Sequence, residues 1–116
     1  MKPKLKGQDC LDHDPIEKWE PTNDGFVNYW LCLHLGPEDQ EGSDLFYVNI
    51  LSEVAADQLD AHELSGRKKI ILKDYSWSAV MVSVREILQQ VEGSTWDEVA
   101  QKLGQKFNWE FENYRG

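Results

Sequence analysis

The sequence predicts an α+β fold, with one antiparallel sheet of three to five strands and two or three helices packed mainly on one face. Three features predict it. Residues 26–35 and 44–51 alternate in side-chain character with the two-residue period of a strand. Residues 77–91 place apolar side chains at steps of three and four, the period of a helix lying on a core. Most of the strand-like segments also precede the strongest helical ones, the order of an α+β domain.

Along the chain, a first strand is expected within Lys2 to Leu11. Asp12 to Gly25 holds Pro15, Pro21 and the turn sequence Thr22-Asn23-Asp24-Gly25, and reads as an irregular connection in which Trp19 is the large apolar residue. In Phe26 to Leu35 one face is apolar or aromatic (Val27, Tyr29, Leu31, Leu33, Leu35), and the other is mixed (Phe26, Asn28, Trp30, Cys32, His34). After Gly36-Pro37 and an acidic loop, Asp44 to Leu51 alternates again, so the two segments predict an antiparallel hairpin.

Ser52 is placed to cap a helix beginning at Glu53 and ending near His62 to Gly66, and Arg67 to Asp74 is a further strand. The helix of Trp77 to Val91 has Ser76 or Ser78 as its start signal and Gly93 as its stop. Thr95 and Glu98 have capping-box spacing ahead of a helix that carries Val99, Ala100, Leu103 and Phe107. Asn108 to Tyr114 alternates as a terminal strand. The expected core includes Trp77, Val84, Leu88, Trp96, Leu103 and Phe111.

With 116 residues, 41% of them hydrophobic, the chain has material for one core, and residues 1–116 are read as a single domain. No apolar run approaches the roughly 20 residues that span a bilayer. Lys2, Lys4 and Lys6 are followed by Gln8, Asp9 and Asp12 and not by an apolar stretch, so no secretory signal is read and a cytoplasmic setting is expected.

The net charge of −9 is unevenly spread. Trp19 to Gly66 contains no Lys or Arg but ten acids: Glu20, Asp24, Glu38, Asp39, Glu41, Asp44, Glu53, Asp57, Asp60 and Glu63. Such a field repels nucleic acid and anionic membrane and attracts a basic partner; it also serves simply to keep a small domain soluble.

Catalysis finds little support. There is no nucleophile elbow, phosphate-binding glycine loop, zinc-protease helix or dinucleotide fingerprint. Cys10 and Cys32 read as free thiols, and Cys10-x-x-His13 with Asp12 and Asp14 is half a metal site with nothing at ligand spacing to complete it. No metal and no cofactor are expected. His34 in its strand reads as a core or edge residue, and Cys32 between Leu31 and Leu33 as an unreactive thiol.

Of the five tryptophans, Trp77, Trp96 and Trp109 fit core stripes, whereas Trp19 and Trp30 lie in the base-free region. Trp30 is open to both readings, core or interface. Aromatic anchors ringed by acids are what a protein-binding surface needs, so the expected partner-binding set is Trp19, Trp30, Asp39, Glu41, Asp44, Tyr47, Asp57 and Asp60.

The stretch Gly93-Ser94-Thr95-Trp96-Asp97-Glu98, the ending Trp109 to Tyr114, the strand running into Leu35-Gly36-Pro37 and the Phe-containing strand Phe46 to Leu51 together resemble the immunity protein 8 family of bacterial polymorphic toxin systems. The resemblance spans the chain from Phe26 onward. It implies a cytoplasmic protein that binds and neutralises a cognate toxin domain and carries no catalytic residues. Many such toxins are nucleases with basic grooves, which an acidic partner suits. Two other readings stand beside it: a structural adaptor in a cytoplasmic complex, and a small hydrolase using His34 with a nearby carboxylate.

Overall fold

The computed structural model describes residues 1–111. Strands β2 (Asn28–Pro37) and β3 (Asp44–Ser52) form the antiparallel hairpin that the alternation predicts, with Leu31 opposite Val48 and Leu33 opposite Phe46. Tyr29, Leu31, Leu33 and Leu35 of β2 and Phe46, Val48 and Ile50 of β3 are all buried on one shared face. At the hairpin's end the chain turns at Gly42, whose φ of 99° favours glycine. A Cβ at Gly36 would collide with the Gly42 carbonyl oxygen, so the loop closes only over a residue without a side chain.

β1 (Pro3–Asp9) pairs antiparallel with β2, and the ladder slips by one residue between Leu5 and Gly7. The N-terminus is tied down as well: the Met1 ammonium donates to the Gly93 carbonyl at 2.8 Å, and Gly93 N–H donates back to Met1 at 3.0 Å. The connection between β1 and β2 holds a 3₁₀ turn at Ile16–Lys18. Ile16 is its fully buried residue, while Trp19 packs half-buried against the core.

Ser52 caps α1 (Glu53–Gln58) by accepting from Ala55 N–H, as its position suggests. The helix does not run on to His62. It stops at the extended Leu59, and Asp60 starts a separate turn, α2 (Ala61–Leu64), with a reciprocal capping box to Glu63. β4 (Lys69–Leu72) then pairs with β3 in parallel, the exception in an otherwise antiparallel sheet. A parallel neighbour needs a crossover connection, and α1 with α2 supply it.

α3 (Trp77–Gln89) is capped by Ser76 and buries Val80, Met81, Val84 and Leu88. It ends before Gly93, whose backbone groups are engaged with Met1. α4 (Trp96–Leu103) is capped by Thr95 and buries Val99, Ala100 and Leu103. Only half of the expected capping box is present: Thr95 Oγ1 accepts from Glu98 N–H, but the Glu98 carboxylate accepts from Ser94 N–H and pairs with Lys102. Those contacts, the Ser94 bond first, hold the Glu98 carboxyl below its ordinary pKa.

β5 (Asn108–Trp109) pairs with Phe46 and Tyr47 of β3, whose same edge pairs with β4 from Asn49 onward. Glu110 and Phe111, expected in the terminal strand, form a turn, and the expectation for 112–114 lies outside the described residues. Phe111, expected in the core, is 42% exposed because the strand ends before it. Trp77 and Trp96 are half-buried against the core.

The buried face of the sheet, α3 and α4 thus share one apolar cluster. Leu103 is fully buried within it and Leu88 nearly so. Truncating Leu103 to Ala is expected to lower stability by about 2–5 kcal/mol in denaturant unfolding, and an unchanged midpoint would show that α4 does not seal the core.

Candidate functional site

Because strand side chains alternate, the parity that buries Tyr29, Leu31 and Leu33 turns Trp30, Cys32 and His34 to the opposite face of the sheet. Cross-strand register sets Tyr47 beside Cys32 and Leu45 beside His34. From the other side β1 contributes Asp9, paired with Cys32. Counted from Leu5, which packs against the core, unbroken alternation would turn Asp9 inward. The slip at Lys6 inverts the phase, so Asp9 points outward and Cys10 is buried.

Together with Leu11 and Asp12 these residues line a groove of about 400 Å³. Its walls are mostly apolar and aromatic. Leu11 is 100% exposed and Trp30 39%. Among the described residues no lysine or arginine lines it.

Within the groove, His34 Nε2 and Asp9 Oδ2 are 2.8 Å apart. Burial, then the nearby Asp9 charge, pushes the Cys32 thiol up to about 11, so it is protonated at neutral pH. The sequence expectation of an unreactive thiol agrees, although Leu31 and Leu33 point to the other face. Asp9, Cys32 and His34 each offer a ligand atom within 4.8 Å of the others. Cys10-x-x-His13 is not such a cluster: Cys10 is buried, and the His13 ring stacks on Trp19 at 4.2 Å.

The expected binding residues fall in several places. Trp30 and Tyr47 lie together on the groove. Trp19 is on the core side, edge-on to Tyr29 and Tyr75. Asp39 and Glu41 sit in the β2–β3 loop, whereas Asp57 on α1 and Asp60 before α2 follow the other end of β3. β3, nine residues and about 30 Å of extended strand, lies between the two pairs along the chain. Asp44 lies at the edge of the core face, where its Oδ2 accepts from the indole N–H groups of Trp96 at 3.0 Å and Trp109 at 3.3 Å.

Sequence reasoning missed Asp9, Leu11, Cys32, His34 and Leu45 as groove residues. A signal for two of them was present: Cys32-x-His34 inside a strand puts both side chains on one face. Asp9 had none, because its side depends on the slip.

A family model described as Immunity protein 8 matches residues 3–114. The match thus includes β1, ahead of the Phe26 boundary of the resemblance read from the sequence. No curated protein and no solved structure matches the chain.

The two indole bonds give Asp44 an internal role that its loop neighbour Glu41 lacks. Asp44→Ala is expected to cost about 1–3 kcal/mol, since it removes a carboxylate that accepts from two indole N–H groups at the edge of the core. Glu41→Ala should stay within about 0.5 kcal/mol of the parent. Equal midpoints for the two variants in thermal or urea unfolding would remove the structural role from Asp44.

Proposed function

The chain belongs to the immunity protein 8 family, and on that premise we propose that it binds and neutralises a cognate toxin domain in the bacterial cytoplasm without catalysing a reaction. The observation that carries the reading is the open half of the sheet. Trp30, Tyr47, Leu45 and Leu11 offer an apolar centre beside Asp9 and Asp12, with no lysine or arginine lining it among the described residues. Aromatic anchors at the centre of an interface supply most of its energy, and surrounding charge steers the encounter.

Asp39 and Glu41 at one end of the hairpin, and Asp57 and Asp60 at the other, extend the negative field to both ends of β3. A toxin with a basic substrate groove, as a nuclease has, is the partner that complements it. Trp19 acts indirectly, by anchoring the connection that follows Leu11 and Asp12. The membrane is not needed for this role, and no helix among the described residues is long and apolar enough to cross one.

The hydrolase reading has one attraction, the His34–Asp9 pair beside a cysteine. The raised thiol argues against Cys32 as a nucleophile and leaves that reading to His34 with its carboxylate, for which turnover lost in His34→Ala is the test. No observation favours the adaptor reading over immunity.

The test is binding to the toxin domain encoded beside this protein's gene. Trp30→Ala should weaken the complex by about 2 kcal/mol or more, chiefly through a faster off-rate. Charge reversal at Asp39, Glu41 and Asp57 should slow association and flatten its dependence on salt. If that triple variant kept the parent's on-rate and salt dependence while Trp30→Ala bound normally, this surface would not be the toxin's docking site.

A further inference from the structure

We propose that Asp9, Cys32 and His34 form a binding site for a zinc-class divalent metal ion on the open face of the sheet. This goes beyond the immunity reading and does not depend on a toxin being bound. Among the described residues these three are the group of His, Cys and acid side chains that converges, with one ligand atom from each within 4.8 Å of the others. They supply a sulfur, an imidazole nitrogen and a carboxylate oxygen, the three donor types that zinc accepts. A thiolate and an imidazole select a borderline metal over magnesium or calcium, which take oxygen ligands.

The scaffold is rigid where such a site needs rigidity. Cys32 and His34 are two residues apart on β2, so both project from the same face, and Asp9 is the cross-strand partner of Cys32. Zinc bonds of about 2.0–2.3 Å put tetrahedral ligands about 3.5 Å apart. His34 Nε2 and Asp9 Oδ2, now 2.8 Å apart, must open slightly, and the widest separation must close. The Cys32 thiol now shares a hydrogen bond with Tyr47, and metal ligation would replace that bond.

Binding exchanges the Cys32 thiol proton for the ion, and the proton passes to solvent. Three protein ligands leave a fourth tetrahedral position. Asp12 lines the same groove, and the position is otherwise available to water or to a donor from a docked protein.

The experiment is titration of the reduced, purified chain with Co²⁺, whose thiolate charge-transfer and ligand-field bands report sulfur ligation and tetrahedral geometry, followed by displacement with Zn²⁺. A single equivalent of Co²⁺ should bind with both bands. Cys32→Ser should abolish the charge-transfer band, Cys10→Ser should leave it intact, and His34→Ala and Asp9→Asn should each weaken binding more than about tenfold. Circular dichroism of each variant checks that the fold persists, and the half-exposed His34 and Asp9 variants keep the test open should Cys32→Ser unfold. Absence of the bands in the folded parent, a band that survives in Cys32→Ser, or parent-like affinity in both His34→Ala and Asp9→Asn would overturn the proposal and leave an Asp9–His34 hydrogen bond only.

Discussion

Two-residue alternation along β2 and β3 is the constraint from which the rest of the molecule follows. Once Leu31, Leu33, Val48 and Phe46 commit one parity to the interior, α3 and α4 must cover that face and every residue of the other parity must face away. The same rule carries Asp44 to the end of an apolar row. A carboxylate there needs donors, and the indole N–H groups of Trp96 on α4 and Trp109 on β5 provide them. One side chain that fits the period but not the polarity thereby ties three elements together.

What could be read from the sequence was what local periodicity determines. β2, β3, α3 and α4 each carry enough apolar repeats to declare their type, and Ser52, Ser76 and Thr95 mark helix starts where the structure has them. The direction of β4 was not legible, because it depends on how α1 and α2 carry the chain across the sheet. Phe111 looked like core because its spacing extends the strand pattern, yet pairing with β3 ends at Trp109. The reach of Glu98 to Ser94 in place of Thr95 is a choice between two neighbouring N–H groups that spacing alone does not make.

The candidate site shows the same division more sharply. Counting charge along the chain finds ten acids in one segment, but a hairpin carries its two ends apart, so nearness in sequence becomes two acidic ends on either side of an aromatic middle. Trp19 and Trp30, grouped by sequence, are separated by the thickness of the sheet. The groove across β1, β2 and β3 instead depends on cross-strand register, which no single segment encodes. A surface mounted on paired strands is stiffer than one mounted on loops, and less side-chain order has to be purchased when a partner arrives.

The slip at Lys6 also bears on how the molecule meets its own copies. β1 pairs on one side with β2, which makes it the terminal strand of the sheet, and a straight terminal strand offers its free backbone groups to any passing chain. Here that strand begins at Pro3, carries Lys4 and Lys6, and is kinked at its midpoint. A proline removes a donor, two ammonium groups repel their equivalents on a second molecule, and the kink breaks the regular spacing that strand-by-strand addition requires. The device that turns Asp9 outward is therefore also a guard against edge-to-edge aggregation.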